Sequence, residues 1–183
     1  MYLPTGKELI DPFKLLEEAG IRNNMVVADF GCGTLGHYVF PAAQLVGKDG
    51  KVYAIDILKS VLGGIESRMK LENATNVEPV WGDLERMNGI RLPDGVIDIG
   101  LLVNNLFLSK QQELMVKECA RMVKHGGKMV FADWKPAGAS FGPMPESRVS
   151  AEDAKKLAIA AGLNITKDFV PGPHHWGFVC TKP

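Results

Sequence analysis

The hydrophobic positions along the chain fall into short runs that alternate between two spacings. Val26 and its neighbours (MVVADF, 25–30), KVYAID (51–56), NVEPVW (76–81), VIDIGLLVNN (96–105) and KMVFADW (128–134) are compact apolar stretches of strand length. Between them the apolar residues recur at helical spacing. Asp11 and Pro12 open a first helix as N-cap and first-turn proline, with Phe13, Leu15, Leu16 and Ala19 on its buried face and Gly20 to end it. A second helix is expected around Tyr38 to Val46, with Pro41 tolerable only near its first turn. A third runs from Ile57 to Leu71 on Leu58, Leu62, Ile65 and Met69. Ser109 and Gln112 predict a capping box for a fourth, which carries Met115, Cys119, Met122 and Val123 through to Lys124 and stops at Gly126. Ser150 and Asp153 cap a fifth helix to about Ala161. The chain closes with β-like stretches at 164–170 and 174–181 around Pro171-Gly172-Pro173.

Five alternations of strand and helix predict an α/β, Rossmann-like doubly wound sheet, mostly parallel and seven-stranded, with a C-terminal antiparallel hairpin. With 183 residues and no linker or repeat, the expectation is a single domain over 1–183, in which 1–24 form an N-terminal helix and lid. Composition narrows this little. Acidic and basic residues balance at 21 each, so no net field gathers nucleic acid or anionic lipid. Cys32, Cys119 and Cys180 are an odd, scattered set, which argues against a disulfide framework. No basic stretch followed by an apolar core opens the chain, and no run reaches membrane-span length, so a cytoplasmic location without membrane insertion is the expectation.

In an open parallel sheet, ligands bind beyond the carboxyl ends of the strands, at the topological switch point. The first strand ends in Asp29-Phe30-Gly31-Cys32-Gly33-Thr34-Leu35-Gly36, where glycines let the backbone approach a ligand. The second ends in Asp56, placed to accept from a ribose diol. The third runs into Gly82-Asp83-Leu84-Glu85, where a carboxylate can accept from an exocyclic amine, and the fourth ends in Asn104 and Asn105. These ends converge on one nucleoside-sized crevice. Cys32 reads as a small loop filler, and Met25, Met115, Met122 and Met129 read as core. Adjacent His174 and His175 lack metal-ligand spacing, so no metal is expected, although one of them could face an acceptor.

Together ADFGCG, VYAID, GDLE, VIDIGLLVNN and CARMVKHGGKMVFADW resemble the motifs of class I S-adenosylmethionine-dependent methyltransferases, especially the small ubiquinone/menaquinone-biosynthesis type. The resemblance runs from about Asp11 to the C-terminus. It implies S-adenosylmethionine as cosubstrate. Gly31 and Gly33 would border its methionyl end, with Asp29 ordering the loop. Asp56, with Ile57 beside it, would hold the ribose, Asp83 and the Leu84 backbone would read adenine, and Asn104 would line the site near the sulfonium. Asn104 and Asp133 are the candidate catalytic residues, Asp133 as base or substrate anchor. One departure stands out: Leu35 occupies the place of the third family glycine, so the loop is one residue longer. The acceptor is expected to be a small molecule, closed in by residues 1–10, including Tyr2, and by loop 135–149, with Lys135 and Arg148 as cations flanking it. An RNA-directed methyltransferase, a catalytically inert cofactor-binding protein and an NAD(P)-dependent oxidoreductase are the alternatives, and oligomeric state is not legible.

Overall fold

A computed structural model describes residues 9–183. Seven strands, β1 (Val26–Phe30), β2 (Lys51–Asp56), β3 (Val77–Trp81), β4 (Ile97–Val103), β5 (Val123–Trp134), β6 (Asn164–Phe169) and β7 (His175–Thr181), form one sheet in the order 3-2-1-4-5-7-6. The first five are parallel, and β7 runs antiparallel between β5 and β6. This is the expected Rossmann-like class, with the order reversing between β1 and β4, where a crevice must open.

Helices α1 (Pro12–Ala19), α2 (Val39–Val46) and α3 (Lys59–Glu72) bury Leu15, Leu16, Phe40, Val46, Leu62 and Ile65 in one core cluster. Helices α4 (Gln112–Met122) and α5 (Ala151–Ala160) close the other with Val116, Cys119, Ala154 and Ala158. Alternation along β1 divides its side chains between the two, Val27 to the first and Ala28 and Phe30 to the second. The Asp11 carboxylate accepts the Phe13 N–H and Gly20 closes α1 at φ +77°, so both helix ends are satisfied. Pro41 is the third residue of α2, where no intrahelical N–H is required.

Several local expectations give way. Phe13 is 43% exposed, because Pro12 rather than Phe13 turns inward with Leu15, Leu16 and Ala19. Ile57 and Leu58 precede α3 and are both exposed. Ser109 does not cap α4; its hydroxyl accepts from Gln111, which is the N-cap and has no side-chain bond. Helix α4 stops at Met122, and the chain passes directly into β5 at Val123. Gly126 is left-handed at φ +76°, but inside β5, where its N–H donates to Lys182.

Candidate functional site

At the carboxyl ends of β1, β2, β3 and β4 lies a cavity of about 900 Å³, within the range of small-molecule sites. The β1 end supplies Gly31, Cys32 and Gly33, β2 supplies Asp56 with Ile57, the segment after β3 supplies Gly82 to Glu85, and β4 supplies Val103 to Asn105.

The loop after β1 turns on three left-handed glycines, Gly31 at φ +72°, Gly33 at φ +64° and Gly36 at φ +51°. Asp56 binds that loop directly. One carboxylate oxygen accepts the Gly33 N–H at 3.2 Å, and the other accepts the Leu58 N–H at 2.9 Å. Each oxygen keeps a lone pair toward the cavity. The extra residue Leu35 is accommodated by projecting outward, 72% exposed at the cavity rim, while its carbonyl accepts from Arg68. Asp83 accepts the Glu85 N–H through one oxygen at 2.9 Å and, among the described residues, makes no bond through the other. Among the described residues the neighbouring Leu84 N–H likewise finds no acceptor.

The two asparagines divide their work. The Asn105 amide donates to the carbonyls of Phe30 (2.9 Å) and Val103 (2.8 Å), clamping the ends of β1 and β4. Asn104, strained at φ +56°, lines the cavity with its buried Oδ1 unpartnered. A buried acceptor without a donor is uncommon in folded proteins, and it fits a ligand that brings one. Behind the lining, Asp29 is buried with Oδ2 unpartnered, and burial together with the Asp56 charge pushes its carboxyl up to about 7. Burial and those two carboxylates raise the Cys32 thiol well beyond its ordinary range, so it stays neutral and unreactive.

Asp133 stands elsewhere. It is buried and absent from the cavity lining, with one oxygen accepting the Leu106 N–H at 3.0 Å and the other the Trp134 N–H at 2.7 Å. Burial outweighs these bonds and raises its carboxyl to about 6. It ties the turn 106–108 to β5 and stands behind the cavity wall.

Loop 135–149 also stays away from the lining. Arg148 is buried at its centre, donating to the carbonyls of Pro143, Lys135, Ala139 and Phe141, while Lys135 donates to Pro173. Both cations are therefore engaged, and neither flanks the cavity. His175 is fully buried against Trp134, at 4.3 Å between ring centroids, and His174 packs on Phe141 at 4.9 Å; neither lines the cavity. Tyr2 lies outside the described residues. Leu9 and Ile10, which follow it, do line the cavity.

Pattern reading missed His37, Tyr38, Leu108, Ser109 and Met115 as lining residues. His37 Nε2 lies 3.1 Å from the Ile10 carbonyl. A carbonyl only accepts, so Nε2 is the donor in this contact. Tyr38 packs edge-on to His37, and burial with the Asp29 charge keeps its phenol protonated. The only sequence signal was their place just after the glycine loop. Among the described residues no cluster of potential metal ligands occurs, and no helix is long and apolar enough to cross a membrane.

The methyltransferase domain family matches residues 21–168 of this chain. A human arsenite methyltransferase is 32% identical over 118 residues, covering 60% of this chain and 31% of that protein. A demethylmenaquinone methyltransferase from a Geobacillus species is 30% identical over 115 residues, covering 63% and 47%. The chain thus spans about half the length, or less, of the curated relatives it matches. A crystal structure of an S-adenosylmethionine-dependent methyltransferase from Aquifex aeolicus superposes with a TM-score of 0.89 at 26% identity, covering 99% of this chain and 94% of that one.

Proposed function

This chain belongs to the class I S-adenosylmethionine-dependent methyltransferase family, and from that premise we propose that its cavity binds S-adenosylmethionine and presents the methyl group to a small or medium-sized acceptor. Membership of the family displaces the nicotinamide-dependent alternative. The observation that carries the reading is the placement of Asp56 and Asp83. They stand at the ends of neighbouring strands on one cavity, Asp56 held by two backbone N–H groups and Asp83 by one, each with acceptor capacity left over.

In this reading Asp56 accepts the ribose hydroxyls, with Ile57 against the adenosine half. Asp83 accepts the adenine amine, and the Leu84 N–H donates to a ring nitrogen. The turn Gly31–Gly33 borders the methionine half, where Asn104 Oδ1 accepts from the ammonium, with Asp29 buried behind the loop. A sulfonium is already an activated leaving group, so the protein's task is alignment for in-line displacement and exclusion of water. A base is needed only where the acceptor must lose a proton. His37 is the side chain we assign to that step, because its ring lines the cavity and is oriented through Nε2 by the Ile10 carbonyl. Asp133 becomes a positioning residue that holds the turn carrying Leu108.

Calorimetry against S-adenosylmethionine, S-adenosylhomocysteine and NAD tests the cofactor. Micromolar binding of the first two without NAD is the expected result, and tighter binding of NAD would sink the proposal. Labelled-methyl transfer into fractionated extracts then identifies the acceptor, with incorporation into RNA rather than small molecules counting against the acceptor class.

A further inference from the structure

Helix α4 buries a carboxylate that the methyl-transfer chemistry does not use. Glu118 is fully buried. Its two oxygens accept the Asn88 N–H at 2.9 Å and the Ile90 N–H at 3.1 Å. Arg121 pairs with the same oxygens at 3.0 and 2.8 Å. Its remaining donors reach the carbonyls of Ile90 (3.1 Å) and Leu92 (2.8 Å) and the Asp94 carboxylate (2.6 Å). Burial alone would raise the Glu118 carboxyl, but Arg121 and the two N–H groups hold it below its ordinary value, so the pair stays charged.

The segment held this way is the one that carries Asp83. Gly82 bridges Ile90, and the Asp83 N–H donates to Gly89 at 3.3 Å. The contact leaves no slack: a Cβ on Gly89 would stand 2.1 Å from the Asp83 carbonyl, and one on Gly82 2.4 Å from Ile90 Cδ1. Asn88 completes the turn in a left-handed conformation at φ +57°. A buried ion pair is poor value as a stability device, because desolvating two charges offsets most of their attraction. Its two carboxylate oxygens instead match two backbone donors whose positions fix the register of an irregular loop.

We propose that Glu118, with Arg121, is a positioning residue for base recognition: from within α4 it sets the Asp83–Leu84 edge that distinguishes adenine from other purines. The inference rests on the functional reading above. Met115, one turn earlier on the same helix, lines the cavity itself, so α4 touches the site at one point and shapes its loop at another.

The test compares S-adenosylhomocysteine with S-inosylhomocysteine, which carries a carbonyl where adenine carries its amine. The parent should prefer the adenine compound by about tenfold or more, the size expected for a polar group left unpaired. In Glu118→Gln an amide NH2 faces a backbone N–H, and the preference should fall toward one while the Asn88 and Ile90 amides exchange faster. If Glu118→Gln does not fold, Arg121→Lys, which keeps the charge but loses the fork, is judged by the same ratio. An unchanged ratio overturns the inference, including the case in which both ligands weaken equally, as mere loosening of the fold would produce. A parent without preference between the two also overturns it. A parent that binds neither ligand overturns the functional reading itself, and this inference with it.

Discussion

The Asn105 side chain lies directly against Gly31, its Oδ1 2.2 Å from the point where a Cβ would stand. This asparagine is also the clamp between β1 and β4, so the glycine turn and the strand junction share one packing site. Gly33, two residues on, has the same left-handed backbone but nothing within 4 Å of its Cβ position.

These two glycines therefore separate conformation from contact. Gly33→Ala should cost only the left-handed penalty, about 1–2 kcal/mol. Gly31→Ala adds displacement of Asn105 and should cost at least about 1–3 kcal/mol more, in the range of mutations that break a buried hydrogen-bond network. Denaturant unfolding of the two variants gives the comparison, and equal losses would show that Asn105 yields without cost.

Taken only as the ribose acceptor at the end of β2, Asp56 would make Asp56→Ala a pure binding variant. The bonds to Gly33 and Leu58 change that expectation. The variant should lose about 1–3 kcal/mol of stability for the orphaned N–H groups. Its affinity for S-adenosylhomocysteine should also fall by at least about tenfold, from lost hydrogen bonds to the charged acceptor. Thermal melts with and without ligand separate the two effects, and an unchanged affinity would remove Asp56 from the ribose role.

How much was legible beforehand follows from what each signal depends on. Strand runs and helix stripes report burial on one face, so the sheet and its helices could be read from β1 to β7. The α4–β5 junction could not, because Met122 and Val123 are both buried and the apolar pattern runs unbroken across the boundary. Gly126 then looks like a helix stop although it lies inside the strand. At the site, Asp56 and Asp83 were legible because a sheet places strand ends predictably. His37 and Leu108 come from segments whose convergence depends on packing, and no spacing announces it. Arg148 misled for a related reason. Its partners are backbone carbonyls, which are invisible in a sequence of side chains.

His175 offers a pH test of the region beside that loop. Burial, then the nearby His174, Lys135 and Arg148 charges, push its imidazole down to about 4, and neither ring nitrogen has a partner. A depressed histidine is neutral when folded but takes up a proton when unfolded. Its contribution is therefore fully present above the unfolded value near 6.5 and is lost as pH falls toward about 4. His175→Phe keeps the ring against Trp134 without the titrating group. The difference in unfolding free energy between variant and parent should widen in the variant's favour as pH drops through that window. A constant difference would show that His175 finds a proton partner in the folded protein.

The last test concerns the loop that the sequence nominates as a lid. Arg148 is its hub, since the guanidinium gathers four carbonyls from within the loop and stands 5.6 Å from the Trp134 ring centre. The fork geometry matters more than the charge, because each carbonyl needs a donor in a fixed direction. Arg148→Lys should leave most of those carbonyls without a charged donor and make the stretch 136–147 sensitive to limited proteolysis. Removing hydrogen bonds to a charged group should lower stability by about 1.5–3 kcal/mol. Because none of residues 135–149 lines the cavity, affinity for S-adenosylhomocysteine should stay within about twofold of the parent, in line with near-independence of separated sites. Proteolysis followed by mass spectrometry, run beside calorimetry on the same sample, reads both quantities. Unchanged affinity together with unchanged methyl transfer to an identified acceptor marks the loop as a scaffold folded on its own arginine. Lost transfer at unchanged affinity would instead restore it as a lid over the acceptor.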